Sequence, residues 1–436
     1  VTIEASALWI LVALRALLGL CLAAFCAYAL LSVWAARQWR QARRPLDAAF
    51  TPPVTILKPV RGMDAEAYDN FASFCRLDYP ADCVQLLFGA LDPADPALEL
   101  VCRLQSEFPH LDIGLVAGHP PTLQGHNLKV CNLATMLPAA RYDLLVLCDS
   151  DMRVQPDYLR RVVAPFRPPP VAQRPGKGRG KREEGRDRLP NAQVGLVTCP
   201  YRGHRARSLA AVLEALGIGA DFIPSTLVSR ALEGVSFAFG STIVLPRALL
   251  EELGGLESLA DELADDFRLG YGARQAGYEV VLSDYVVDDV LGQERFGPMW
   301  ARRLRWARTV RACRPAGYAG AGITHGTVLA ALFLAASGFT PLGWTVAGSV
   351  LGVRLAMALL IALRYTRDPN IVRYLPLLPL SDLLSFALYV ASFCGNRISW
   401  RGERFRLLPG GKIVRQAARP TDKTASEEEG PNVHYG

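Results

Sequence analysis

The first strong signal along the chain is an apolar run from Ala7 to Ala35, broken only by Arg15 and small polar residues. A helix of that length crosses the roughly 30 Å of hydrocarbon in a bilayer, and the run is longer than the apolar core of a secretory signal peptide. Arg37, Arg40, Arg43 and Arg44 follow at once, with Glu4 ahead of it, so the positive-inside bias puts the chain beyond about residue 37 in the cytoplasm. From Pro52–Pro53 the pattern changes to short apolar runs between amphipathic segments. It predicts strands at Val54–Leu57, Val84–Leu91, Asp112–Val116 and Leu144–Cys148, with helices at Ala65–Cys75, Pro96–Phe108 and Lys129–Leu137 between them. Continuous apolar strands alternating with helices predict a parallel sheet covered on both faces. Residues 166–192 replace this rhythm with Pro, Gly, Arg, Lys and Glu, the composition of a disordered basic insertion. Strand character resumes at Val194–Thr198, and α/β texture continues to about Leu291.

Residues 294–314 read as an amphipathic helix. Phe296, Met299, Trp300, Leu304, Ala307 and Val310 recur at helical spacing, surrounded by Arg302, Arg303, Arg305, Arg308 and Arg311. The pattern fits a helix at the headgroup boundary with its arginines on lipid phosphates, and equally a core-facing helix with a solvated face. Three apolar runs follow, Ile323–Phe339, Leu342–Leu363 and Leu375–Cys394, with Gly338 and Pro341 suited to a turn between the first two. Arg354 and Asp382 fall inside these runs, where an ionisable group either faces a polar cavity or pairs within the bundle. Three crossings after a cytoplasmic domain would put the tail outside, yet Arg397, Arg401, Arg404, Arg406 and Lys412 favour the inside. One run is then re-entrant, with Pro376 and Pro379 pointing to the last, or the charge rule fails here.

Composition sharpens this picture. Hydrophobic residues make up 51% of the 436, and charged residues only 20%, below the quarter usual for soluble domains. The net charge of +7 is concentrated in residues 37–44, 167–190 and 302–314, which suits anionic lipid or loops rather than a nucleic-acid face. Ten cysteines occur with no C-x-x-C pair and no Cys/His cluster at metal spacing, so neither a disulfide framework nor a zinc site is expected.

In an open α/β sheet, ligands sit beyond the carboxyl ends of the strands. Lys58 and Pro59 follow the first predicted strand, Asp92 the second, and Asp149-Ser150-Asp151 the fourth. A D-x-D at a strand end can place a carboxylate on a divalent metal bridging two phosphates, although Asp pairs are also common turn residues. The segment from Gly125 to Leu133 brings Lys129, two amides and His126 to a loop-to-helix junction suited to phosphate oxygens. Asp261, Glu262, Asp265 and Asp266 crowd before a further helix. Asp261 is a plausible N-cap there, and close carboxylates raise one another's pKa, which tunes a general base.

Taken in order, these features read D…DxD…D…RxxRW: Asp92, Asp149/Asp151, Asp266, then Arg302, Arg305 and Trp306. The ordered set resembles the membrane-integrated glycosyltransferases of the cellulose-synthase and chitin-synthase type. More closely it resembles glycosyltransferase family 21, the ceramide glucosyltransferases and their bacterial hopanoid-pathway relatives. VTILKPVRG (54–62), LDYP (77–80), NLKVCNL (127–133), CDSDMRV (148–154) and VGLVTCPYRG (194–203) carry the match. FAFGSTIVL (237–245), ADDFRLG (264–270), RRLRW (302–306) and ISWRGERFRL (398–407) complete it. Thr198 stands where animal ceramide enzymes have histidine, and Phe237–Ser241 with Leu282–Tyr285 looks closer to the hopanoid branch.

The resemblance implies an α/β GT-A (nucleotide-diphospho-sugar transferase) domain plus transmembrane helices. It implies a UDP-sugar donor, a lipid acceptor, and a divalent metal, Mg2+ or Mn2+, on Asp149 and Asp151. Asp92 and Lys129 would join them in holding the nucleotide sugar, with Lys58 and Asp265 supporting. Asp266 would be the base, and Arg302, Arg305 and Trp306 would serve the diphosphate and the acceptor entrance. The expected organisation is an anchor at 1–36, a cytosolic catalytic domain at 37–292, an interfacial helix at 293–318, an apolar region at 319–396 and a basic-then-acidic tail at 397–436. The expected activity is transfer of one hexose to a lipid hydroxyl with inversion at the inner membrane of a bacterium. UDP-glucose and ceramide lead, with UDP-N-acetylglucosamine and a hopanoid as the alternative. A processive polysaccharide synthase would need a larger bundle of spans, and a sugar-nucleotide sensor would not need the full carboxylate set.

Overall fold

A computed structural model describes residues 2–118, 125–168, 193–400 and 403–416. Most of the expected basic insertion, the acidic tail and Arg401 lie outside the described residues. In chain order the strands of the α/β part are β1 (Val54–Pro59), β2 (Val84–Ala90), β3 (Asp112–Ala117), β4 (Leu144–Leu147), β5 (Met152–Arg153), β6 (Val194–Thr198), β7 (Tyr201–His204), β8 (Ile243–Pro246), β9 (Glu279–Leu282) and β10 (Val287–Val290). Seven form the central sheet in the order β3-β2-β1-β4-β8-β6-β9, while β5, β10 and β7 form a smaller one. Every residue of β1 is buried because both faces are covered. Leu57 packs with Leu87, Leu133 and Leu145 on one face, and Ile56 with Phe71, Phe88 and Val146 on the other.

The expected wholly parallel sheet is corrected in one place. β8 runs antiparallel to both neighbours, with Leu145 opposite Leu245 and Val197 opposite Val244. An apolar run such as Ile243–Leu245 has the same pattern in either direction, so strand polarity is not written in it. The strand arrives after a long helical excursion, Leu209–Gly217 and Ile223–Glu233 joined by a π-bulge at Ile218–Phe222. That excursion is long and apolar enough to cross a membrane, but 83% of its apolar window is buried inside the protein.

The N-terminal helix, Thr2–Gln41, ends against this domain. Trp39 is buried there and donates its indole N–H to Ser283 O at 3.0 Å, and Arg43 pairs with Asp284 at 3.0 Å. Further apolar helices are Pro315–Thr324 with Gly326–Ala336, bent by 58° at the break, then Pro341–Thr366 and Leu375–Phe393. Gly338, at φ +67°, makes the turn expected between the first two runs, and Thr340 caps the next helix by accepting from Gly343 N. The tail forms a small sheet of β11 (Arg397–Trp400), β12 (Glu403–Leu407) and β13 (Ile413–Arg415). It returns to the α/β domain, where Ile413 N donates to Asp261 O at 3.0 Å and Leu263 N to Gly411 O at 3.0 Å.

Candidate active site

Lys58 leaves β1 fully buried. Its ammonium donates to Asp149 O at 2.7 Å and lies 4.0 Å over the Phe74 ring, so it fixes the backbone of the D-x-D segment from below. Asp149 N donates to Gly240 O, and Ser150 Oγ donates to Asp64. On the far side, Val290 N donates to Asp151 O at 3.1 Å, clamping the segment between the two sheets. The Asp151 carboxyl is pushed up to about 7, first by burial and then by Asp64 and Asp149. Its Oδ1 is buried with no hydrogen-bond partner among the described residues.

Lys129 enters from the helix Leu128–Met136, whose N-cap Asn127 accepts from Lys129 N and Val130 N. Asn127 Nδ2 also donates to Glu262 O at 2.8 Å and to Asp265 Oδ1 at 3.2 Å, latching the acidic loop onto this helix start. The Lys129 ammonium stands 2.6 Å from Asp149 Oδ1 and 3.6 Å from Asp265 Oδ2. Burial opposes its charge, but Asp149, Asp265 and Asp266 together hold it above its usual range. Asp266 opens the helix Asp265–Gln275; Oδ1 accepts from Phe267 N at 2.7 Å and Oδ2 from Gly240 N at 3.1 Å. Burial, then Asp265, pushes its carboxyl up to about 7. Gly240 is the meeting point: a Cβ there would lie 2.5 Å from Asp149 Oδ2 and 2.8 Å from Lys129 Nζ. Thr198, the position where the sequence departs from the animal enzymes, anchors this loop. Its hydroxyl donates to Thr242 O at 2.9 Å and accepts from Phe239 N at 2.8 Å.

Arg302 reaches the cluster from the helix Phe296–Cys313, held by Glu214 at 3.1 Å and Glu294 at 2.5 Å, with its guanidinium 5.7 Å from the Trp306 ring centre. Arg305 stacks instead at 5.8 Å on Trp400 of the tail sheet. Asp92 sits exposed in the turn after β2, where it accepts from Ala94 N at 2.9 Å. One expectation is corrected. Asp261 caps no helix, because Ala264 holds that position; it pairs with the partly exposed His126 at 2.6 Å instead. The arginines of the 296–313 helix meet protein groups as well as an open face: Ser385 for Arg303, Cys394 O for Arg308 and Gly395 O for Arg311.

Three carboxylates in the cluster were not singled out from the sequence. Asp64 follows β1, Glu214 comes from the buried helix, and Asp289 lies in β10, held above its usual range by burial and by Asp151. The acid pair inside Val287-Asp288-Asp289-Val290, a fully buried strand, is the one signal that would have found Asp289. Hard oxygen donors around an unpartnered Asp151 oxygen suit Mg2+ or Mn2+. Among the described residues no three His, Cys, Asp or Glu side chains converge as a ready ligand set. Such an ion would therefore rest on few protein oxygens and complete its shell with phosphate and water, as Mg2+ commonly does.

Comparisons with known proteins place the chain in a family. The model of glycosyl transferase family 21 matches residues 16–173 and 186–413. Ceramide glucosyltransferase 1 of Caenorhabditis elegans is 25% identical over 235 residues, covering 54% of this chain and 44% of that protein. The ceramide glucosyltransferase of Candida albicans is 32% identical over 126 residues, 27% of this chain and 23% of that protein. The chain thus spans less than half the length of these curated relatives. Among solved structures, a mannosyltransferase of Pyrobaculum calidifontis in complex with GDP-Man and Mn2+ shares 19% identity, with 86% of this chain and 99% of that one covered at a TM-score of 0.45. The family match runs from within the first apolar helix, through both acidic segments and the arginine helix, to the tail sheet. This α/β protein with its apolar helices belongs to glycosyl transferase family 21.

Proposed function

We propose that the protein moves one hexose from a UDP-sugar to a hydroxyl of a membrane lipid, with inversion at the anomeric carbon. The observation that carries this reading is the convergence of Asp149, Lys129, Asp265 and Asp266 on Gly240, beside helices apolar enough to cross a bilayer. Glucose and ceramide are the first pairing to test, since the similar curated proteins are named ceramide glucosyltransferases. N-acetylglucosamine and a hopanoid polyol are the alternative.

Asp266 is placed to take the proton from the acceptor hydroxyl. Two backbone N–H groups support its ionised form, while burial keeps it basic enough to act near neutrality. Lys129, with Arg302 on the other side, supplies the positive charge that a departing diphosphate needs. Asp92 is exposed where the nucleoside end of a donor would approach the sheet edge. A bound divalent cation, held through Asp151 and Asp149, would neutralise further charge on that diphosphate. A lipid acceptor explains the first apolar helix docked through Trp39, since the acceptor stays in the bilayer and the site must come to it.

The test is a mass-spectrometric product assay on protein in lipid nanodiscs with Mg2+ or Mn2+, both UDP-sugars, and ceramide or a hopanoid polyol. One hexose on ceramide supports the leading pairing, and one N-acetylhexosamine on the hopanoid the alternative. Asp266→Asn is expected to cut turnover by about 10²–10⁴-fold with UDP-sugar binding kept. Intact lipid glycosylation in that variant would sink the reading.

A further inference from the structure

A cavity of about 240 Å³ opens between the π-bulged helix, the arginine helix and the membrane-side helices. Its sheet-facing end is Tyr201 and Phe222, which pack with Phe239 at centroid separations of 6.2 Å and 4.9 Å. Phe239 immediately precedes Gly240, whose N–H holds Asp266. Its opposite walls are Tyr318, His325 and Tyr389, from the helices that follow residue 314. The cavity therefore lies between the apolar helices and the aromatic cluster that leads into Gly240.

Arg303 is the unusual wall residue. Its Nη2 donates to Ser385 Oγ at 3.0 Å, yet its Nη1 is buried with no hydrogen-bond partner among the described residues. A buried donor left unmade is costly, and such a group is normally satisfied by protein, water or ligand. Gly217 lets this guanidinium lie against the helix backbone: a Cβ there would come within 2.5 Å of Nη2. Ser385 in turn donates to Asp221 Oδ2 at 2.7 Å, so Arg303 is steered through a hydroxyl rather than neutralised in a direct ion pair.

The surrounding charge limits what can enter. Glu214 and Glu294 share Arg302, while Asp221 and Asp382 share Arg354. Of the charged side chains that line the cavity itself, Glu214 and Asp221 stand against Arg303 alone, two carboxylates to one guanidinium. A phosphate would add charge of the same sign in a poorly hydrated space, where an uncompensated anion is expensive. A neutral head group with hydroxyls and a carbonyl adds none. Its carbonyl can accept from Arg303 Nη1, its hydroxyls can donate to the carboxylates, and the aromatic walls suit its apolar shoulders.

We propose that this cavity holds the polar head of the acceptor lipid, that Arg303 binds it through Nη1, and that it selects uncharged polyol or amide heads over phosphate-bearing ones. This rests on the lipid-transfer reading above, and occupancy can be read without transfer. The experiment places wild-type protein in nanodiscs with a photoactivatable ceramide, or with a photoactivatable phosphatidic acid of matched chain length, and maps the adducts by peptide mass spectrometry. Ceramide adducts on 214–225, 303–307 and 385–389 are expected, with phosphatidic acid at least tenfold weaker there. Arg303→Met should weaken cavity labelling by ceramide and raise its KM about tenfold or more, with UDP-sugar affinity unchanged; Arg303→Lys should recover part of the loss. Equal labelling by the phosphate lipid, ceramide adducts confined to outer surfaces, or an Arg303→Met variant with unaltered labelling and KM would each overturn the proposal. Failure of the transferase reading shows differently, as a cavity that labels in protein that adds no sugar to any lipid.

Discussion

At the residue scale, the site sets Lys129 among Asp149, Asp265 and Asp266, and burial with neighbouring carboxylates raises the pKa of Asp266 and of Asp151. As the proposed base, Asp266 must be ionised to accept a proton, so transfer is expected to gain rate as pH rises towards about 7 and to level off above it. The residual rate of Asp266→Asn should lack that limb, which a pH–rate profile of both proteins checks. The stability sign runs the other way. A carboxyl whose pKa is raised on folding binds its proton more tightly when folded, so its contribution falls as pH climbs from about 4 to about 7. Asp266→Asn should therefore melt higher than wild type at pH 8 and lose most of that advantage at pH 5. Gly240→Ala is expected to lose at least tenfold in kcat/KM with little change in folding, because the added carbon meets side-chain tips of Asp149 and Lys129. The sequence revealed Asp149, Asp151, Lys129 and Asp266 because each stands at a strand end or helix start, where polar side chains are legible against apolar neighbours. Asp64, Glu214 and Asp289 were not legible, since only the tertiary fold brings a loop acid to Ser150, a helix acid to Arg302 and a strand acid beside Asp151.

At the element scale, strand and helix positions followed apolar periodicity closely, as with Val194–Thr198 and the 296–313 helix. What periodicity could not show was direction and depth: β8 reversed its neighbours, and the apolar 209–233 excursion stayed inside the protein. Arg354 and Asp382 settle as partners. The Arg354 guanidinium bonds Asp382 at 2.6 Å and Asp221 at 2.5 Å while remaining 2% exposed. This ties the Pro341–Ile361 helix to both the π-bulge and the last apolar helix. Arg354→Met would strand two carboxylates beside one another, and breaking a buried pair in this way typically costs about 3–5 kcal/mol. A large fall in Tm in nanodiscs is expected, with much of it recovered when Asp382→Leu is added. Equal melting of wild type and Arg354→Met would show that the ion pair does not couple these helices.

At the scale of the whole molecule, side-chain contacts order the apolar helices relative to the α/β domain. Arg15 Nε donates to Ala336 O at 2.8 Å and Phe25 lies against Gly326, so 326–336 runs antiparallel to the first helix, away from the domain. The Pro341–Ile361 helix then returns, bringing Met357 and Ile361 into the cluster that holds Ala35 and Trp39. The last apolar helix is different. Ser381 and Ser385 bind Leu213 O and Asp221 on the domain's own helix, and Arg308 takes Cys394 O at its far end. A helix fastened to the domain along its length does not need to cross, and the tail sheet beyond it bonds Asp261 and Leu263. If that helix stays on the domain's side, three crossings, by the first helix, the bent pair and 341–366, would put the tail arginines on the same side as Arg37–Arg44 and so remove the conflict with the positive-inside bias. The exposed thiols Cys102 and Cys394 report this directly. In sealed vesicles an impermeant maleimide should modify both from one face, whereas the cysteine introduced by Phe339→Cys, in the exposed turn, should react only from the other. Modification of Cys102 and Cys394 from opposite faces would restore the last helix as a true crossing and detach the tail from the catalytic side.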